Sequence, residues 1–427
     1  MLDIAFDRVA PARSVQACKN RCKAAKAKAK DDQLSTATQK LIESHTGRPE
    51  PTTGKLASDD SPSLLSADSS PCRKKALTLG PTLRRFNRYR EALPYARAAD
   101  DMNKLGDQPA KAQPDDACLT RLPDKADELC DALHLPHGTI NDEDLRNDKT
   151  GFRAALYRDE STGKLILVAR DTQPKSLADW QTNTRNGEGL DTKQYVAMRR
   201  VSSRLADNRI GFDLAGYSKG GGLAQEGALV NQNAKAFVFN SAGLHPNSLK
   251  RTGNADFSSL ASRTSAFSAE HEFLTDMNET TDPDQQIANV RFLRRELAGE
   301  NRWWQKPMKI DHRNPANPEG KDDPAFRREL DAYLKELDQK IAGMEQDRAA
   351  GRPFTAFPPV RAGQKEIIPH SLGTTGKLLG ARSPGPNLGK LAQHQMENVL
   401  DPMKENIEKD RETLDDFVSR CGLGREP

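Results

Sequence analysis

Between positions 213 and 230 the chain reads DLAGYSKGGGLAQEGALV, and within it GYSKG fits the pattern G-x-S-x-G around Ser218. A serine hydroxyl is a weak nucleophile until a neighbouring base takes its proton and a third group holds that base in the right tautomer. In a chain with 29 glycines the five-residue string carries little weight alone. Its surroundings carry more. An apolar run enters the string and a small-residue helical run leaves it. A nucleophile elbow needs such a strand, a turn too crowded for side chains beside the serine, and a helix whose free N-H groups face the developing oxyanion. Gly216 and Gly220 would relieve the crowding, Gly221 and Gly222 would let the helix approach the sheet, and the N-H of Lys219 would be one oxyanion donor. A phosphate-cradling turn is the competing reading. The P-loop string G-x-x-x-x-G-K-[ST] does not occur.

In hydrolases with this elbow the acid and then the histidine follow the serine along the chain. Five histidines follow Ser218. His245 comes too soon after the next strand, His312 sits in a polar turn, and His271 adjoins the candidate acids on what reads as a strand. His370 and His394 remain. For the acid, the β-leaning run 265–269 leads into Glu270, Glu272 and Asp276. A plain surface carboxylate or an exposed helix histidine is the bland reading of each.

The elements that must position these groups are legible as alternating strands and helices. FRAALY and LILVA flank DESTGK and read as a hairpin. KQYVAMRRVSSRLADN puts Tyr195, Met198, Val201 and Leu205 on one helix face. RIGFDLAGY and AKAFVFNSAGL read as buried strands around the elbow helix, and QKEIIPHSLG as a short strand before a late helix whose first turns carry His394. Short connections between them predict a mostly parallel sheet covered by helices on both faces, an α/β class fold.

The expected organisation is a flexible low-complexity arm over 1–80, a helical covering segment over 81–150, the α/β core over 151–282, a charged helical hairpin inserted at 283–350, and a return to the core over 351–427. In the arm, CKAAKAKAKDDQ and TTGKLASDDSPSLLSADSSP hold too little apolar surface to offset the entropy of ordering. Composition agrees, with 35% hydrophobic residues, 30% charged residues and a mean hydropathy of -0.78. A balance of 65 basic against 61 acidic residues argues against nucleic acid as the partner. No apolar run approaches the roughly 20 residues of a membrane span, and the N-terminus lacks the apolar region of a secretory signal. We therefore expect synthesis in the cytoplasm, with any export by a signal-independent system. Six cysteines without zinc-type spacing are expected to be reduced, and neither a metal nor a cofactor is expected. Trp303 and Trp304, at the end of the first hairpin helix, are expected to anchor the hairpin on the core.

LVARDTQPKSLADWQTN, then FDLAGYSKGGGLAQEGAL and AFVFNSAGL, resemble the class 3 lipase pattern, and more narrowly that of bacterial lipase-like effectors delivered by contact-dependent, type VI-type secretion. The likeness covers roughly residues 150–280 and the segment around His394. It implies an α/β-hydrolase fold and a serine esterase acting on lipids, with phospholipids as the substrate class. It also implies a membrane surface, a secretion apparatus and an immunity or inhibitor protein as partners. On this pattern AQHQMENVL places the base at His394, with His370 as the alternative, and HEFLT selects Glu272 as the acid, with Asp276 as the alternative. Thr172 takes the position of the second oxyanion donor, beside Lys219. Asp179, Trp180 and Asn240 look like supports of the surrounding loops. Two departures stand out: Asp171 and His271 each replace a glycine of the pattern. A thioesterase or peptidase of the same fold, or a non-catalytic interaction protein on a hydrolase scaffold, are the rival readings.

Overall fold

The structure is a computed structural model and describes residues 70–105, 114, 118–173, 176–253, 257–298, 324–354, 363–368 and 394–421. The expected arm up to residue 69, the tryptophan pair 303 and 304, His312 and His370 lie outside the described residues. Contacts divide the chain into two compact units, Met1–Leu93 with Asp401–Pro427, and Pro94–Leu400.

The first unit contains most of α1 (Ser70–Leu105) and of α12 (Glu397–Arg420). Helix α1 starts at least ten residues before the helical segment expected from 81, inside what reads as the low-complexity arm. Along it Leu79, Leu83, Phe86, Tyr89 and Ala92 recur every three to four positions and are buried. Asp410 of α12 is buried and takes a forked ion pair from Arg85, at 2.8 Å to Nε and 2.5 Å to Nη2. Cys421 is disulfide-bonded, against the expectation of reduced thiols, whereas Cys118 and Cys130 are free.

The second unit is built on an eight-stranded sheet in the order β1-β3-β4-β5-β6-β7-β8, with β2 paired to β3 off this path. The strands are β1 (Leu119–Arg121), β2 (Arg146–Asn147), β3 (Phe152–Asp159), β4 (Leu165–Ala169), β5 (Phe212–Tyr217), β6 (Ala236–Phe239), β7 (Thr264–Ala269) and β8 (Gln364–Ile368). From β4 to β8 every pairing is parallel, while β1, β2 and β4 each run antiparallel to β3. The sheet is thus mostly parallel with an antiparallel edge, and β3 and β4 form the expected hairpin, closed with Gly163 at a φ of 76°.

Between the strands lie α2 (Ala126–Leu133), α3 (Asp142–Leu145), α4 (Leu177–Gly187), α5 (Lys193–Asp207), α6 (Lys219–Val230), α7 (Pro246–Arg251), α8 (Phe257–Arg263) and α9 (Phe273–Glu279). The register explains the core. Leu167, Leu214 and Ala236 are aligned neighbours across β4, β5 and β6. They share one hydrophobic cluster with Tyr195, Met198, Val201 and Leu205 of α5 and with Leu223, Ala224 and Ala228 of α6. Since successive residues of a strand point to opposite faces, Phe237 and Phe239 serve the other face. There Phe237 stacks on Tyr95 of α1 and Phe239 on Phe267. Both faces of the sheet are therefore covered, as parallel strands require.

Helices α10 (Pro283–Ala298) and α11 (Pro324–Ala349) form an antiparallel pair, fixed by ion pairs Arg348–Asp284, Arg291–Glu345 and Arg294–Asp338. Ile287, Val290, Leu293, Leu330, Tyr333, Leu337 and Met344 close a second apolar cluster with Leu177 and Trp180 of α4. Among the described residues, no helix is long and apolar enough to cross a membrane.

Candidate active site

Strand β5 ends at Tyr217 and α6 begins at Lys219, so Ser218 alone makes the turn. Its backbone sits at φ 56° and ψ -125°, a strained conformation for a residue with a side chain. The strain is held by three backbone hydrogen bonds: Ser218 N-H donates to Phe239 O, and Ser218 O accepts from Gly221 N and Ala242 N, all at 3.0 Å. The flanking glycines are obligatory for close approach. A Cβ on Gly216 would lie 2.1 Å from Gly220 O, and one on Gly220 would lie 2.3 Å from Ala169 O. The start of α6 therefore rests directly on the end of β4.

His394 lies three residues ahead of α12, not within its first turns as the sequence pattern predicts. Its Nε2 is 2.8 Å from Ser218 Oγ and its Nδ1 is 2.5 Å from Glu272 Oε1. The backbone carbonyl of His394 accepts from Asn240 Nδ2 at 3.0 Å and from the Tyr217 hydroxyl, and the Tyr217 ring lies tilted against the imidazole. Asn240 accepts in turn from Ala269 N at 2.9 Å. A single buried amide thus ties the ends of β6 and β7 to the histidine, the loop-tying expected of it.

Glu272 is fully buried and is the N-cap of α9, accepting from Leu274 N at 2.6 Å, Thr275 N at 2.8 Å and Thr275 Oγ1 at 2.6 Å. Burial would raise its carboxyl, but the His394 ring and these donors outweigh that and hold it below the ordinary value. The residue before it, His271, has a φ of 57°. It occupies the left-handed turn that glycine favours, which accounts for its place in the pattern. It is not on a strand, and its imidazole lies 3.6 Å from Glu270. Asp276 sits one turn into α9, where its N-H donates to Glu272 O. The carboxylate at His394 Nδ1 is that of Glu272.

Helix α6 starts directly after Ser218, so the Lys219 N-H stands at the positive end of the helix dipole. Thr172 follows β4, and its Oγ1 accepts from Asn183 Nδ2 at 2.9 Å, which leaves the hydroxyl hydrogen free to point elsewhere. Asp171 is buried between charges. Burial pushes its carboxyl up to about 7 against the partly offsetting pull of Lys219. With its amide nitrogen turned toward it, Asn103 donates to both Asp171 oxygens at 2.9 and 3.0 Å, and Gln173 donates to one at 3.2 Å. Sequence reasoning missed the Lys219 side chain. It assigned only the backbone N-H of this residue, whereas its ammonium is buried and ion-paired with Asp179. Burial lowers the ammonium's affinity for its proton, and Asp179 opposes that.

Beside these groups lies a mainly apolar cavity of about 60 Å³. Trp180, Phe273, Leu274, Met277 and Leu293 form its apolar wall, and Lys219 and Ala242 stand at the nucleophile end. A hydroxyl bonded to an imidazole, a buried carboxylate on the far side of that imidazole, and an apolar slot alongside form an arrangement compatible with acyl transfer.

Residues 96–299 match the family described as a Tle-like phospholipase domain, a little under half of the chain. The matched stretch contains Ser218 and Glu272 and ends ahead of His394. No curated protein matches the chain.

Proposed function

With a phospholipase-like domain as the premise, we propose that this chain is a serine esterase that hydrolyses carboxylic ester bonds of phospholipids. The observation that carries the reading is the unbroken relay from Ser218 Oγ through His394 to the buried Glu272. In this reading Ser218 Oγ attacks the ester carbonyl as His394 Nε2 takes its proton. Glu272 holds Nδ1-H and stabilises the imidazolium. The N-H groups of Lys219 and Thr172 bind the tetrahedral oxyanion. His394 then protonates the departing alcohol, and a water attacking by the reverse route frees Ser218 and releases the fatty acid. The apolar slot walled by Met277 and Leu293 takes the acyl chain, and the α10–α11 pair is its cap, exchanging with a membrane surface.

We further propose that the protein acts as an effector that leaves its producing cell by a signal-independent, type VI-type route, restrained there by an inhibitor protein. The resemblance to lipase effectors and the Tle-like match support this part.

The test is direct. A fluorophosphonate probe should label the wild type and fail to label Ser218→Ala. Mass spectrometry of phospholipid vesicles should then show fatty acid released only by the wild type. Absence of labelling in the wild type would favour a non-catalytic protein on a hydrolase scaffold, and labelling without lipid products would favour a thioesterase or peptidase.

A further inference from the structure

The Lys219 ammonium and the Asp179 carboxylate meet where neither reaches water, with side-chain exposures of 1% and 0%. Taking two charges out of water costs more than their attraction usually returns, and a well-packed apolar pair of similar size would hold a core as well or better. Stability alone therefore does not explain the pair. What distinguishes it is where its two ends are attached.

Lys219 follows the serine directly and carries the first oxyanion amide. Asp179 stands in the first turn of α4 and gathers the loop that leads there from β4. Its Oδ2 accepts from Gln173 N at 2.8 Å, one residue past Thr172, and lies 3.9 Å from the Arg170 guanidinium. Its own N-H is capped by Ser176 Oγ at 3.3 Å. Its Oδ1 also accepts from Gln194 Nε2 at 2.6 Å, and the space on that side is closed, because a Cβ on Gly151 would lie 2.8 Å from it. Residues 170 and 173 are thus tied to one carboxylate, residue 176 is tied to the amide of the same Asp179, and Thr172 lies between the two carboxylate tethers. An oxyanion hole works only if both donors stand at 2.7–3.1 Å from the oxygen, and a misplacement of about 1 Å costs on the order of a hundredfold in rate.

We propose that the buried Lys219–Asp179 ion pair is the positioning element of the oxyanion hole, holding the Thr172 loop at a set distance from the Lys219 amide. The proposal rests on the reading of Ser218 as the nucleophile. Neither charged side chain touches the reacting atoms. Lys219 contributes chemistry through its backbone and geometry through its side chain.

The test uses the full chain with Lys219→Met combined with Asp179→Asn, a neutral pair of nearly unchanged shape in which the asparagine oxygen still accepts from Gln173 N and its NH2 group faces Gln194, whose unpartnered carboxamide oxygen can turn to accept. A second version, Lys219→Met with Asp179→Leu, also removes that acceptor. Both are compared with the wild type by thermal unfolding, by kcat and KM on a monomeric soluble ester, and by the inhibition constant of a trifluoromethyl ketone, which forms the oxyanion. We expect the neutral pair to melt within a few degrees of the wild type. Its kcat and its affinity for the ketone should fall about tenfold, and those of the leucine version about a hundredfold, with KM changed less than threefold in either. Wild-type kcat in a folded double variant would overturn the proposal. So would failure of both double variants to fold, which would make the pair a requirement of the core. An unlabelled wild type in the fluorophosphonate assay would instead sink the serine mechanism itself, so the two failures are distinguishable.

Discussion

Replacing Glu272 by glutamine changes one atom and reverses a hydrogen-bonding role. The native carboxylate meets four donors and no acceptor: His394 Nδ1-H, Leu274 N-H, Thr275 N-H and the Thr275 hydroxyl. A carboxylate can accept from all of them, but a glutamine offers one oxygen and one NH2 group. If the NH2 group takes the Oε2 place, it opposes both Thr275 donors and strands them in a buried site, at a cost of about 1–3 kcal/mol in stability. If it takes the Oε1 place, it opposes Leu274 N-H and demands an acceptor at His394 Nδ1, which drives the ring proton to Nε2, where it blocks uptake of the proton from Ser218. In a serine protease the same acid-to-amide change costs about ten-thousandfold in kcat, or about 5 kcal/mol at 1.36 kcal/mol per tenfold. We expect Glu272→Gln to remain folded, to melt a few degrees lower, and to lose three to four orders of magnitude in kcat on a soluble ester. Asp276→Ala should stay within about threefold of the wild type. Retention of more than a tenth of wild-type kcat by Glu272→Gln, or an equal loss in Asp276→Ala, would refute the reasoning.

Asp171 should make stability depend on pH in an unusual direction. The folded chain keeps its proton up to about pH 7, while the unfolded chain releases it near 3.8, so this residue's contribution falls as pH rises between those values and then levels off. Asp171→Asn should remove that decline and be the more stable protein at pH 8, by no more than about 4 kcal/mol. A wild-type-to-variant difference in urea midpoint that is constant from pH 4 to pH 8 would contradict this. Asn240→Ala removes the amide that holds the His394 carbonyl and strands the Ala269 N-H. We expect a loss of about 1–3 kcal/mol in urea unfolding and about a tenfold lower kcat with little change in KM. Met277→Phe narrows the apolar slot, and competition assays with esters of graded length should shift its preference toward shorter acyl chains.

Much of this site is legible in the sequence because it depends on local rules. A buried strand, a turn bounded by Gly216 and Gly220, and a small-residue helix declare the elbow. The four apolar positions of α5 all reach the core because one helical period dictates them. Glu272 has a local reason as well, since it caps the helix that starts after it, with Thr275 three residues on completing its hydrogen bonds. Other features depend on distant partners and leave no local trace. The Lys219 side chain reads as an ordinary surface lysine until Asp179, forty residues earlier, is brought against it. The early start of α1 has no clear local signal, because its first residues, SPCRKK, are mostly small or charged. The place of His394 ahead of α12 follows from long-range anchoring by Asn240 and Tyr217, which no spacing rule encodes.

Helix α4 carries two stripes. Asp179 and Asn183 turn toward the oxyanion loop, while Leu177, Trp180, Thr184 and Glu188 just past its end turn toward the hairpin. There Tyr333 of α11 is bonded to the Thr184 hydroxyl and, at 3.1 Å, to the Trp180 carbonyl, and Lys340 pairs with Glu188 at 3.1 Å. One eleven-residue helix thus carries contacts to the loop beside Ser218 on one flank and to the hairpin on the other, so both are anchored to the same short element.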